Sequence, residues 1–236
     1  MTTVLLVRHG LTATTGQVLT GWTPGIGLDE RGKTQAEKLA TRLEQVDLDA
    51  IVTSPLQRCC ETARAIADRR SGPKIEEDER LGECGYGEWT GKALKDLEKD
   101  PLWPVVQQHP SAVTFPGGES MLGMQHRAVS AVREHNARLG EHATYLICSH
   151  GDVIKAIVAD SLGLHLDQSQ RIQVDPCSLT VIRYTSLRPF LVRMNDTGDV
   201  QLPKSPKGQE GDEGQEGSGS DAMVGGGAGS AADRRG

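Results

Sequence analysis

No apolar run in these 236 residues approaches the roughly 18 that a membrane-spanning helix needs, so no membrane partner is expected. There is no charged n-region, apolar h-region and small-residue cleavage site; Met1 leads straight into a strand-like run, and no secretory leader is expected. Positive charge is not in excess: 26 Lys and Arg stand against 32 Asp and Glu, a formal net charge of −6. Residues 203–236 hold four basic and six acidic side chains, so −2 lies there and −4 in the remainder. A basic stripe of the kind that binds nucleic acid is missing, and any positive field must be local to a cleft. A disulfide framework is missing too. Cys59, Cys60, Cys84, Cys148 and Cys177 are odd in number and irregularly spaced, which points to reduced thiols and a cytoplasmic protein. Cys59 and Cys60 would lie in a first helical turn, where thiolates are favoured, but buried small hydrophobes are the commoner use. His109, His126, His135, His142 and His165 have no metal-ligand spacing and read as surface or satisfied core residues. No internal repeat is present.

What remains is an alternation of strand and helix patterns. Val4-Leu5-Leu6-Val7 reads as a buried strand ending at Arg8-His9-Gly10. Asp29 opens an amphipathic helix with apolar positions Ala36, Leu39, Ala40 and Leu43 at spacing i, i+3, i+4, i+7. Ala50-Ile51-Val52-Thr53 is a second strand; Ser54-Pro55 then gives an N-cap and a first-turn proline for a helix to about Asp68. Residues 82–91 are glycine-rich and read as loop, 92–118 as a poorly patterned segment expected to form a substrate lid in which Trp89 and Trp103 pack. Residues 119–139 read as a long helix, with Glu119 serving either the helix dipole or a ligand. A strand at 145–149 ends at Ser149-His150-Gly151 and is followed by a helix over 152–162. Residues 178–184 and 190–194 are a final strand pair with an antiparallel member. This pattern implies an α/β three-layer sandwich around a mostly parallel sheet with one antiparallel edge strand, over residues 1–202. Residues 203–236, with Gly-Gly-Gly and Gly-Gln-Glu-Gly runs and no aromatic, read as a disordered tail.

In open α/β sheets ligands bind beyond the carboxyl ends of the strands. Three strand ends here deliver Arg8 and His9, Ser54 with Arg58 just inside the next helix, and His150. Two arginines and two histidines in one crevice form an anion trap, since guanidinium forks match phosphate oxygens and a helix N-terminus after His150 adds donors. A neutral imidazole beside bound phosphate can attack phosphorus and hold the phosphoryl group, and a nearby carboxyl group can protonate the leaving alkoxide. Glu83, in Gly82-Glu83-Cys84-Gly85-Tyr86-Gly87, is the candidate for that carboxyl.

The chain resembles the histidine phosphatase superfamily in its phosphoglycerate mutase-like branch, and also a group of actinobacterial proteins known only as probable phosphomutases. The resemblance is carried, in the family's order, by Leu6-Val7-Arg8-His9-Gly10, Leu28-Asp29-Glu30-Arg31-Gly32, Ser54-Pro55-Leu56-Gln57-Arg58, the run from Leu81 to Gly91, Pro116-Gly117-Gly118-Glu119-Ser120 and Ser149-His150-Gly151. It implies that His9 is the phosphorylated nucleophile, that Arg8, Arg58 and His150 bind the phosphoryl group, and that Glu83 is the general acid and base. It also implies that no metal, nucleotide or other cofactor takes part. Two departures stand out. Leu11 replaces the family's acid after Arg-His-Gly, and Thr15 falls near its phosphate-binding asparagine, so Thr12, Thr15 or Gln17 is expected to contact phosphate instead. Residues 92–108 carry Lys92, Lys95 and Lys99 but no arginine pair of the kind with which mutases grip a second phosphate. The expected activity is therefore hydrolysis of a small phosphate monoester through phosphohistidine, the alternatives being a phosphoglycerate-type mutase and a non-catalytic phosphate-binding module. The partner is a small phosphorylated substrate, and the oligomeric state is open between a monomer and the homo-oligomers common among relatives.

Overall fold

In the computed structural model of the chain, residues 1–198 are described. The expected boundary at 202 and the expected tail from 203 lie outside the described residues. The elements run β1 (Thr2–Arg8), α1 (Glu30–Leu43), β2 (Ala50–Thr53), α2 (Gln57–Ala67), β3 (Ile75–Glu77), α3 (Leu94–Leu97), α4 (Trp103–Gln108), α5 (Met121–Leu139), β4 (Thr144–Ser149), α6 (Gly151–Ser161), β5 (Leu179–Tyr184) and β6 (Pro189–Asp196), with short 3-10 turns between several of them. They build one six-stranded sheet in the order β3-β2-β4-β1-β5-β6. The first four neighbours pair in parallel, and β5 runs antiparallel to both β1 and the edge strand β6.

Side chains alternate across a strand, and the two faces of this sheet carry two apolar clusters. Leu5, Val7, Ile51, Leu146 and Cys148 face α1 and α2, meeting Ala36, Leu39, Leu43, Ala63 and Ile66. Val4, Leu6, Val52, Tyr145 and Ile147 face α5 and α6, meeting Met124, Ala128, Val132, Ile154 and Ile157. The helical periodicity around Leu39 is thus the buried stripe of α1, whose first turn is capped by the Asp29 carboxylate accepting the Gly32 N–H. β3 escaped the sequence pattern because it is three residues long and mostly exposed.

This layering creates the crevice. β1 and β4 are adjacent in the sheet, yet the chain leaves β1 toward the α1 face and leaves β4 toward the α6 face. Loops that part in opposite directions leave a gap at the carboxyl ends of the strands. Arg8 pairs in register with Ser149, and the His9 N–H donates to the Ser149 carbonyl at 3.0 Å, so the two histidines emerge side by side.

The chain after His9 is held against the start of α1 by backbone contact. A Cβ on Gly32 would lie 2.0 Å from the Leu11 carbonyl oxygen, and one on Gly10 would lie 2.7 Å from the Gly32 oxygen. Leu11, which replaces the family's acid, is buried in this packing, and its N–H donates to the Gln35 side chain. Gly32→Ala is expected to destabilise the fold by about 3 kcal/mol, because neither backbone can yield. Urea unfolding measures this; a loss below about 1 kcal/mol would mean that the crossing is loose.

Candidate active site

His9 is 5% exposed and Arg8, Arg58, Glu83 and His150 are buried still more completely or to a similar degree. The His9 Nδ1 lies 2.7 Å from the Gly10 carbonyl oxygen, which can only accept, so Nδ1 carries the proton. Nε2 is left with its lone pair and accepts from the Arg58 Nε at 3.3 Å. Burial above all, then the charges of Arg58 and Arg8, holds His9 well below the usual histidine range, so the ring is neutral at physiological pH. His150 follows the same logic: burial first, then Arg58, holds it neutral. Its Nδ1 faces the Arg58 Nη2 at 3.2 Å and can only accept there, which leaves Nε2 to donate to the Ser54 Oγ at 2.8 Å. The two imidazole centroids are 5.2 Å apart.

Ser54 is therefore not the expected helix cap. The cap position of α2 is Leu56, without a side-chain bond, and Pro55 precedes the helix rather than opening it. The Ser54 hydroxyl takes the His150 Nε2–H and also accepts the Leu56 N–H at 3.3 Å, and the chain bends at Pro55 and Leu56 before it coils, which sets Arg58, buried, in the first turn of α2.

Two arginines near the site contrast in a telling way. A guanidinium has five N–H donors. Arg127, on α5, uses all of them: Nε and Nη2 grip the Glu119 carboxylate at 3.1 and 2.6 Å, Nη1 donates to the carbonyls of Arg80 and Gly82, and Nη2 also donates to that of Glu83. Arg58 spends its Nε and Nη2 on His9, His150 and the Gly21 carbonyl, while its buried Nη1 has no hydrogen-bond partner among the described residues. Buried donors without partners are costly, and this one belongs to a cation lining a cleft. Arg8 donates from Nη1 to the Val174 carbonyl at 2.8 Å and lines the same cleft.

Glu83 enters from the loop after β3. Its Oε1 accepts the Cys84 N–H at 2.9 Å and its Oε2 is 3.8 Å from the His150 Nδ1. Burial first, then the nearby Asp152 carboxylate, pushes its pKa up to about 7, against the opposing pull of Arg58 and Arg8. It can thus hold a proton near neutrality and also give it up. The loop that carries it is pinned by Arg127, by the Trp22 indole N–H on the Glu83 carbonyl, and by Glu119 accepting the Gly85 N–H at 2.7 Å. Glu119 thus completes the clamp. Sequence reading missed Arg127 and Trp22, which have no motif; the Gly-Glu-Ser run ahead of α5 was the available signal. Arg127→Met is expected to lower kcat on alkyl phosphates by about 10- to 100-fold through misplacement of Glu83, with Arg127→Lys intermediate. Steady-state rates on correctly folded variants check this.

The cleft is lined by Arg8, His9, Arg58, Glu83 and Tyr86 together with Thr12, Thr15, Thr20, Gly21 and neighbouring residues of the loop after β1. Thr15 lines it, its Oγ1 tied to the Thr12 hydroxyl at 2.8 Å and the Thr12 N–H. Gln17 is exposed and outside the lining. Of the segment expected to be a lid, Leu94 reaches the cleft, whereas Trp103, Val106, Val113 and Phe115 are buried in the core. Trp89 and Trp103 stack on each other at 6.1 Å. The segment is a buttress because its apolar side chains find the α5 face of the core; the cleft's outer wall is the aperiodic loop 12–21. Cys59 lies 3.4 Å from the His150 Nε2, and burial pushes the Cys60 thiol up to about 11, away from redox use; all five cysteines are free. His135 is a satisfied core histidine between Asp78 and Arg138. Among the described residues no His, Cys, Asp or Glu group is arranged to hold a metal ion, and no helix is long and apolar enough to cross a membrane.

Comparison with known proteins agrees with this geometry. Residues 4–197 match the histidine phosphatase superfamily (branch 1). Phosphoserine phosphatase 1 of Hydrogenobacter thermophilus is 33% identical over 175 residues, covering 72% of this chain and 81% of that protein. Probable phosphoglycerate mutase GpmB of Proteus mirabilis is 29% identical over 207 residues, 85% of this chain and 94% of that one. Among solved structures, YhfR of Bacillus stearothermophilus superposes with a TM-score of 0.76 at 33% identity, over 83% of this chain and 98% of that one.

Proposed function

The chain belongs to the histidine phosphatase superfamily, and on that premise we propose that it is a metal-independent phosphatase that hydrolyses a small phosphate monoester through a phosphohistidine at His9. The observation that carries the reading is the unprotonated His9 Nε2 set against the Arg58 guanidinium, whose Nη1 lacks a hydrogen-bond partner among the described residues, with a carboxyl of raised pKa beside them.

In the proposed cycle Arg8 and Arg58 take the phosphate oxygens and Nε2 forms a bond to phosphorus as the ester P–O bond breaks. The guanidiniums spread the charge of the transition state. Glu83 gives its proton to the departing alkoxide. Its carboxylate then removes a proton from water, which attacks the phosphorus; the N–P bond breaks, and inorganic phosphate and neutral His9 are restored. His150, neutral, accepts from Arg58 at Nδ1 and donates to Ser54 from Nε2; on taking up a proton beside a phosphate dianion, its Nδ1 becomes a donor to a phosphate oxygen. Thr12 and Thr15, at the cleft, are the proposed replacements for the family's asparagine; Gln17 has no support from its position. A reducing cytoplasmic setting and a catalytic unit ending near residue 202 belong to the same proposal, the free thiols supporting the first.

The second reading, a phosphomutase, has the likeness to the Proteus mirabilis protein in its favour. Against it, Arg8 and Arg58 are the cations that line the cleft among the described residues, leaving none for a second phosphate. Supplied with 3-phosphoglycerate and a bisphosphate primer, the protein is expected to release inorganic phosphate at a rate that EDTA does not change, without interconverting phosphoglycerates. Primer-dependent interconversion faster than phosphate release would replace this reading by the mutase.

A further inference from the structure

What the phosphate is esterified to is set by the rest of the cleft. Once Arg8 and Arg58 are matched to a phosphate dianion, the remaining lining holds no cation among the described residues. Beyond Thr12 and Thr15, proposed to contact the phosphate, it offers the hydroxyl-bearing Thr20 and an aliphatic wall of Val18, Leu19 and Leu94. Tyr86 also lines it, but its hydroxyl is committed to the Asp152 carboxylate at 2.8 Å.

The aliphatic wall is firmly built. Leu19 and Leu94 are laced together by backbone bonds: the Leu19 N–H to the Lys92 carbonyl, the Gly91 N–H to that of Leu19, and the Leu94 N–H to that of Gln17. Lys92 and Lys95 flank Leu94 in sequence but are exposed and outside the lining. Lys155 is buried behind it, bonded to the Gln170 side chain at 3.0 Å and paired with Asp152 at 3.8 Å. The carboxyl group in the lining is Glu83, which holds its proton as the acid and offers a further anion no positive charge.

Resting on the phosphatase reading above, we infer that the substrate is a phosphate monoester of an uncharged alcohol, with hydroxyl and aliphatic surface near the phosphate, and that a carboxylate beside the phosphate is selected against. A carboxylate moved from water into this cleft would lose hydration without gaining a cationic partner beyond the two arginines that hold the phosphate. This separates the chain from what the names of two of its relatives imply, since phosphoserine and phosphoglycerate both carry a carboxylate.

The test is kcat/KM on glycerol 3-phosphate, 3-phosphoglycerate and O-phosphoserine, with p-nitrophenyl phosphate as a substrate that any active phosphatase of this design turns over. Glycerol 3-phosphate, the ester of an uncharged alcohol, is expected to exceed both carboxylate-bearing esters by about tenfold or more. Leu94→Lys is expected to narrow the gap between glycerol 3-phosphate and 3-phosphoglycerate by several-fold, and Val18→Lys serves the same purpose if the first variant does not fold. Equal or better kcat/KM for a carboxylate-bearing ester, with p-nitrophenyl phosphate turned over, would overturn the substrate class alone, as would a gap unchanged by both lysines. No turnover of any ester, p-nitrophenyl phosphate included, would overturn the phosphatase reading itself.

Discussion

Replacing His9 by alanine is expected to lower kcat by at least about 10⁴-fold on every substrate, while the protein stays folded. The size follows from the role: without Nε2 the phosphoryl group has no first acceptor, and the arginines can orient an ester that nothing attacks. Removal of a nucleophile from a concerted set typically costs this much or more. The fold should survive because the ring contributes a hydrogen bond to Gly10 and one to Arg58 rather than core packing, worth on the order of 1 kcal/mol each. Turnover of p-nitrophenyl phosphate and thermal unfolding of the variant measure the two halves. Residual activity within 100-fold of the parent would place the nucleophile elsewhere.

Glu83→Gln should produce the next largest loss, and its pattern matters more than its size. Glutamine keeps the shape and can still accept the Cys84 N–H, but it cannot deliver a proton. An alkyl phosphate, whose alkoxide needs that proton, should slow by about 10²–10⁴-fold. An aryl ester with a stable phenolate should slow much less in the first step. With its pKa up to about 7, the acid form of Glu83 is lost as pH rises through neutrality, so the parent's rate on alkyl esters should fall above pH 7 and that limb should vanish in the variant. Stability of the parent also falls as pH rises toward the folded pKa. A buried carboxyl with a raised pKa binds more protons folded than unfolded, so its burial penalty is fully present above the folded value and relieved as pH falls toward the unfolded one. The variant should therefore be more stable than the parent at pH 8, on the order of 3 kcal/mol, with the difference shrinking toward pH 4.5. Equal slowing of both ester classes would remove Glu83 from the acid role.

The elements that deliver His9, Arg58 and His150 were legible because each ends a short apolar run, and buried strands announce themselves that way. α1 was legible from the spacing of Ala36, Leu39, Ala40 and Leu43, all of which are buried. The loop 12–21 was not, since it has neither period nor charge pattern, and its contribution depends on a tertiary contact with residues 91–94. The Arg127–Glu119 clamp was hidden for a similar reason: eight residues apart, they say nothing to each other in sequence until a loop from β3 is laid across them. Ser54 misled because serine before proline is a common helix start; here its hydroxyl holds a buried histidine and the N–H of Leu56, and the helix begins two residues later than a cap at Ser54 would place it.

The central claim is a covalent bond between His9 Nε2 and phosphorus. It is tested most directly by mixing Glu83→Gln protein with p-nitrophenyl phosphate, quenching in alkali, where phosphohistidine survives, and locating the phosphoryl group by mass spectrometry. Glu83→Gln is chosen because aryl ester attack persists while water attack on the intermediate is slowed. The expected result is a single phosphoryl group on the peptide that contains His9, formed at the rate of p-nitrophenolate release and absent when His9 is alanine. A phosphoryl group found on any other residue, or phenolate release with no label at all, would contradict the account.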